Sequence, residues 1–196
     1  MVYKGKNILT IILIIINIIL LIKLFQKNSY HFQNEFNPDL IPIKMSLFES
    51  YLQNMESIPN TILRNIDNEI MQSETIMLGY KSILLIYSDG SCNICLDSLI
   101  FGCNKLFQDL SSNSKVIGIG YSQSIESIKK FKNVKNISFP VYFDYQNNFI
   151  QKCKLKTLPV VLMVDKKMRI INSFFINPQN KKYNDIFFKA ATKYLQ

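Results

Sequence analysis

The sequence predicts an α/β domain with a central mixed, mostly parallel sheet flanked by helices, preceded by one N-terminal transmembrane helix. Three features carry this expectation. Every residue from Ile8 to Ile22 is apolar except Thr10 and Asn17. From Lys81 onward, apolar runs of strand length alternate with stretches that repeat apolar residues every three or four positions. A polar segment separates the two, so the 196-residue chain divides into an anchor at 1–29, a stalk and N-terminal helical extension at 30–80, and the α/β domain at 81–196.

The N-terminal run continues past Lys23 through Leu24 and Phe25. A spanning helix needs about 20 apolar residues and the core of a cleavable signal roughly 7 to 15, so length admits both. The flank decides for an uncleaved signal anchor: Lys-Leu-Phe-Gln-Lys-Asn-Ser-Tyr offers no small-x-small cleavage site, and no cysteine stands near for lipid attachment. Lys4 and Lys6 lie on one side and Lys23 and Lys27 on the other, a balance that only slightly favours a cytoplasmic N-terminus. Residues 26–40 are polar and read as the stalk. Ser46-Leu47-Phe48-Glu49 is a capping-box pattern, and Phe48, Leu52 and Met55 follow at helical spacing until Pro59.

Ser82 to Tyr87 is a continuous apolar run, expected of a central strand covered on both faces. Leu96, Leu99, Cys103, Leu106 and Leu110 form one helical stripe. Lys115 to Tyr121 reads as a second strand, Ser122 to Lys132 as a helix turning Ile125, Ile128 and Phe131 inward, and Pro140 to Phe143 as a third strand. Proline at a strand's first position costs no ladder donor. Val160 to Val164, a turn at Asp165-Lys166-Lys167 and Arg169 to Phe175 form a hairpin, and Tyr183, Phe187, Ala190 and Tyr194 mark a closing helix. Strand–helix alternation of this kind implies a mostly parallel sheet.

The net charge of +9 raises the question of nucleic acid. The lysines are dispersed, at 129, 130, 132 and 135, at 152, 154 and 156, and at 166 and 167 with Arg169, and no nucleic-acid motif with interleaved aromatics accompanies them. They read as a solvated face that a nearby anionic bilayer could attract, and no nucleic-acid partner is expected.

The chemistry lies in Ser91-Cys92-Asn93-Ile94-Cys95, where the first central strand hands over to a helix. Cysteines three apart on a first helical turn can meet the geometric limits of a disulfide. Unpaired N–H groups and the positive end of the helix dipole there stabilise a thiolate. Cys92, at the exposed edge, is the expected attacking sulfur, and Cys95, one turn deeper, resolves the mixed disulfide. The same spacing is half of many zinc sites, but zinc needs two further ligands and only Cys103, Cys153 and His31 are at hand, none in a second pair. No metal and no cofactor are therefore expected. Cys103 lies on the apolar stripe as a small hydrophobe, whereas Cys153, between Lys152 and Lys154, is a thiol without an assigned role.

Ser82 to Cys95, then Phe139-Pro140-Val141 with Asp144, then Thr157-Leu158-Pro159 leading into Val160 to Asp165, resembles the thioredoxin-like redoxins anchored outside bacterial cytoplasmic membranes. The resemblance runs from Lys81 to the C-terminus. It implies a thioredoxin-like fold and a thiol:disulfide oxidoreductase at the cytoplasmic membrane, single-pass, with its catalytic domain extracytoplasmic. Partners would be extracytoplasmic protein thiols or disulfides, a membrane electron donor, and lipid through the N-terminal helix. It also implies a cis bond before Pro159, with Pro159 against the cysteine pair and Leu158 offering backbone to substrate; a cis bond presents the preceding backbone as an extended edge that a peptide can pair with. The sequence departs from the family pattern in having no tryptophan, Ser91 where many members place one, Asn93-Ile94 in place of Gly-Pro, and Ile86 where thioredoxins carry a buried acid.

A peroxidase on the same fold would place proline and threonine where Leu85 and Asp89 stand, and copper delivery would want a histidine after the cysteines, which His31 precedes. The competing reading of another class is a membrane-tethered binding module with a structural disulfide. Reduction is the favoured direction of exchange, because Asn93-Ile94 contains no cation to stabilise the thiolate strongly.

Overall fold

In the computed structural model, residues 57–176 and 181–196 are described. The expected anchor, the stalk and most of the helix expected from Ser46 lie outside them. Among the described residues no helix is long and apolar enough to cross a membrane.

The elements run β1 (Ile62–Asn65), β2 (Ile70–Gln72), α1 (Ser73–Met77), β3 (Lys81–Ser88), α2 (Asn93–Gln108), β4 (Ser114–Tyr121), α3 (Ile125–Val134), β5 (Val141–Phe143), a 3-10 turn (Tyr145–Asn147), α4 (Asn148–Lys152), β6 (Val160–Val164), β7 (Ile170–Phe174) and α5 (Lys181–Leu195). One seven-stranded sheet has the order β2-β1-β5-β4-β3-β6-β7. Its centre is parallel, β3 with β4 and β4 with β5. Antiparallel pairs flank it, β6 and β7 on one side and β1 and β2 on the other.

The sheet therefore begins upstream of Lys81, within the stretch read as stalk and helical extension. β1 and β2 are four- and three-residue strands at the rim with a mixed burial pattern, too short to show a period. Their turn is closed by Asn65, whose Oδ1 accepts the N–H groups of Asp67 and Glu69, each at 2.9 Å.

β3 is apolar from Ile83 to Tyr87 because both its faces are covered there. Ile83, Leu85 and Tyr87 join a core with Leu96, Leu99, Cys103 and Leu106 of α2, Ile128 of α3 and Phe187, Ala191 and Leu195 of α5. Leu84 and Ile86 join a second core with Ile76 and Met77 of α1 and Phe149 and Ile150 of α4. Burying each such side chain contributes about 1.5–3 kcal/mol, which makes β3 the strand hardest to perturb. The inward stripe of α5 is Phe187, Ala191 and Leu195, not the expected line through Ala190 and Tyr194. Tyr194 instead lies half-buried at the flank, donating its hydroxyl to Val164 O at 3.0 Å.

Candidate redox site

Pairing of β3 with β6 ends at Ile86 opposite Val160. Two residues further on, Ser88 N–H has no strand carbonyl from β6 and donates to Ser91 Oγ at 2.9 Å. Ser91 N–H returns to Ser88 O at 2.9 Å, so Ser91, itself buried, closes the turn through both side chain and backbone. Asp89 ties this turn to the exit of β4: its N–H donates to Tyr121 O at 3.3 Å and its Oδ2 accepts from Ser122 Oγ at 2.6 Å.

The turn delivers Cys92 to the N-cap of α2. There its sulfur accepts the Cys95 N–H at 3.3 Å, using one of the donors that a helix start leaves unpaired. Cys92 and Cys95 are joined in a disulfide with Cα atoms 5.2 Å apart, inside the usual range. Cys92 is exposed and Cys95 half-buried, so an incoming sulfur can reach the first more readily than the second. No acid stands in the first turn of α2, which leaves the dipole free to favour a thiolate when the bond opens.

The Leu158–Pro159 bond is cis. Pro159 is buried and Leu158 half-buried, immediately before Val160, whose pairing with Ile86 sets them at the end of β3 from which Cys92 emerges. Cys92 with Cys95 and Leu158 with Pro159, two pairs far apart in the chain, thus share one end of the sheet. Asp144 directly follows β5. Its N–H donates to Gly120 O, and its fully buried carboxylate accepts the N–H groups of Phe149 at 2.8 Å and Ile150 at 3.0 Å. Burial raises its pKa above the ordinary carboxylate value, while those backbone donors pull the other way.

The remaining cysteines lie in different cores on opposite faces of the sheet, so they do not pair. Burial pushes the Cys103 thiol up to about 12. Burial, with the Asp144 carboxylate adding to it, does the same for Cys153. Its sequence neighbours Lys152 and Lys154 are exposed, while Cys153 itself is buried. Among the described residues no three metal-ligating side chains come together.

The part played by Ser91 is visible only in the structure. Its signal was the composition Ser88-Asp89-Gly90-Ser91, a run of turn formers. Gly120 is a second such residue: a Cβ there would lie 2.7 Å from Ile128 Cδ1 and 2.9 Å from the Tyr87 ring and hydroxyl. Tyr87 is buried against Phe131, ring centroids 5.0 Å apart, and its hydroxyl has no partner. Burial first, then the Asp89 charge, raises its pKa.

The AhpC/TSA family model matches residues 55–179. Among solved structures, the chain is similar to a protein described as the thiol:disulfide interchange protein DsbE of Chlorobium tepidum, with a TM-score of 0.57 and 14% identity over 69% of this chain and 96% of that one. A protein disulfide isomerase of Bacteroides thetaiotaomicron gives 0.59 and 14% over 71% and 88%. The exposed lipoprotein thioredoxin Etrx1 of Streptococcus pneumoniae gives 0.54 and 16% over 69% and 99%. No curated protein matches in sequence. At these identities the likeness is one of fold, and the fold is thioredoxin-like.

Proposed function

The chain belongs to the AhpC/TSA family, and from that premise we propose that it is a thiol:disulfide oxidoreductase acting on protein thiols or disulfides through Cys92 and Cys95. The observation that carries the reading is the exposed Cys92 sulfur at the N-cap of α2, bonded to a less exposed partner one turn deeper. In the reducing direction, the Cys92 thiolate attacks one sulfur of a substrate disulfide and the other leaves as a thiolate. Cys95 then attacks the Cys92 sulfur, forming the internal disulfide and releasing the first substrate sulfur. Two electrons pass to the substrate, so the pair must be re-reduced by a dithiol, which we assign to a membrane protein.

Pro159 has no N–H to compete for a substrate carbonyl, and Leu158 just before it supplies the backbone that would hold the peptide. A peroxidase role is disfavoured by the residues upstream of Cys92. Leu85 is buried in the core and Asp89 is engaged by Ser122, so neither supplies a hydroxyl to a peroxide. The apolar run at 8–25 supports an anchor that holds the domain at the cytoplasmic membrane on its outer side.

The test is to equilibrate the full-length protein in graded thiol buffers and follow alkylation of each cysteine by mass spectrometry. A reversible couple between about −120 and −300 mV, with Cys92 alkylated first, is the expected result, and the midpoint gives the direction. Cys95→Ser should accumulate mixed disulfides and Cys92→Ser should abolish exchange. A pair that does not cycle would make the domain a binding module with a structural bond. A reporter fused after Gln196 should read extracytoplasmic, and cytoplasmic activity would overturn the placement.

A further inference from the structure

The chain enters the described domain at the end of the sheet away from the cysteines. Ser57 bridges to Arg169 just before β7, and Ile58 N–H donates to Met168 O at 2.7 Å. Both partners lie in the turn after β6, whose last residue, Val164, pairs with Ser82 at the start of β3. Cys92 follows from the other end, beyond Ser88, so the eight residues of β3, about 23 Å at 3.3 Å per residue, separate the two. The turn at the entry end is fixed by Asp165, whose Oδ1 accepts the N–H groups of Lys167 and Arg169, each at 2.9 Å. Lys166 and Lys167 are left exposed at its tip. Lys166 O accepts the Gly79 N–H at 2.9 Å, which sets Leu78, 50% exposed, beside them. Lys115 Nζ donates to Ile76 O at 2.6 Å and stands 3.6 Å from the centre of the Tyr80 ring, a further cation on the residues that flank Leu78. The acids on these segments are Asp165, neutralised by Arg169 at 2.6 Å, and Glu74, which accepts from Asn60 at 3.2 Å. Lys115, Lys166, Lys167 and Arg169 outnumber them, so this end is net positive around an open leucine.

Resting on the anchored placement proposed above, we propose that this end of the domain docks on the anionic headgroups of the bilayer, with Cys92 turned away from it. Residues 1–56 precede the entry point and include the apolar run at 8–25, so an anchor there tethers the domain through Ser57. A tether keeps the domain at high effective concentration over the surface, and a weak contact is then enough to orient it. Each Lys or Arg brought close to an anionic surface favours docking about fivefold. Leu78 leaves water at the boundary between headgroups and acyl chains. A lipid surface is favoured over a protein partner because the large apolar exposure on these segments is confined to Leu78, which falls short of the apolar core that a protein interface needs. Docked this way, the redox end stands about the length of β3 above the headgroups, open to extracytoplasmic protein thiols and disulfides.

The test reconstitutes the full-length protein into vesicles of phosphatidylcholine alone and of phosphatidylcholine with phosphatidylglycerol. Outward lysines are acetylated with a membrane-impermeant reagent and read by mass spectrometry. Labelling of Lys166 and Lys167, taken as a ratio to exposed Lys154 on the segment leading to Pro159, should fall about fivefold in the phosphatidylglycerol vesicles. About 0.5 M salt should restore it. Equal ratios in the two kinds of vesicle would overturn the proposal, whether the lysines are open in both or covered by protein in both. A second readout uses Cys95→Ser protein carrying a fluorophore on Cys92, the cysteines at 103 and 153 being buried. Energy transfer to a headgroup-labelled lipid should be lower in the phosphatidylglycerol vesicles, and Lys166→Glu combined with Lys167→Glu should remove that difference. Higher transfer there would put the redox end on the bilayer and refute the orientation, and a difference that survives the double substitution would refute the patch. Protein that does not float with the vesicles after a carbonate wash would sink the anchored placement, and this proposal with it. Protein that floats but shows no lipid-dependent ratio would sink this proposal alone.

Discussion

Replacing Ser91 with Ala removes one atom group from a turn that sets the position of the attacking sulfur. Ser91 Oγ is the acceptor of Ser88 N–H at 2.9 Å, at a point where pairing with β6 has already stopped. An N–H left without an acceptor when buried costs about 1–3 kcal/mol. Ser88 is half-buried, so the lower part of that range applies, about 1–1.5 kcal/mol. For a domain of this size that lowers Tm by roughly 3–5 °C. The local effect is the more telling one. Ser91 immediately precedes Cys92, and a loosened turn lets the sulfur drift from the Cys95 N–H it now meets at 3.3 Å. An interaction with a helix N-terminus contributes about 0.3–1 kcal/mol. Losing half of that should slow alkylation of reduced Cys92 at neutral pH by about twofold. Denaturant titration gives the stability, and timed iodoacetamide labelling with mass spectrometry gives the reactivity. Ser91→Thr, which keeps the oxygen, should restore both. A Ser91→Ala protein within about 0.5 kcal/mol of wild type, with unchanged Cys92 labelling, would refute the account of the turn.

Further predictions rest on other parts of the structure. Cys103 and Cys153, whose burial holds both thiols near 12, should resist alkylation at pH 8 in the folded protein and label only on unfolding; labelling of Cys153 in the native state would show that its pocket opens. Gly120→Ala puts a methyl against Ile128 and Tyr87, both buried in one core, and should destabilise by about 1–3 kcal/mol in denaturant titration. The Asp165 carboxyl is raised slightly by burial but held below its ordinary value by hydrogen bonds from Arg169 and the Lys167 N–H and by the Arg169 charge. Because the folded value is the lower one, its contribution is fully present above the ordinary value of about 4 and is lost as pH falls below it through the lower folded value. Asp165→Asn should flatten that segment of the pH–stability profile.

The central elements were legible because their signals are local. The apolar run Ile83 to Tyr87 became the middle of β3, and the stripe from Leu96 to Leu106 became the buried face of α2. Cys92 and Cys95 needed only their spacing and their place after a strand. The rim was not legible. β1 and β2 present four and three residues of mixed exposure, and their hydrogen bonds go to each other and to β5, far along the chain. For α5 the sequence offered several apolar lines three or four residues apart. Which line faces inward depends on the angle at which the helix crosses the sheet, and no local signal encodes that angle.

From the sequence alone came the α/β alternation, the redox pair and the apolar N-terminal run, while the cis bond before Pro159 was an implication of the family resemblance. Each depends on side chains within one or two turns of one another, or on position along the chain. The tertiary structure decided which sulfur is exposed, that Cys103 and Cys153 lie in separate cores, that Ser91 replaces a missing strand partner, and that Leu78 stands open beside Lys166 at the end of the sheet away from Cys92. These depend on strand register and helix approach, and therefore on contacts between residues that the chain keeps far apart.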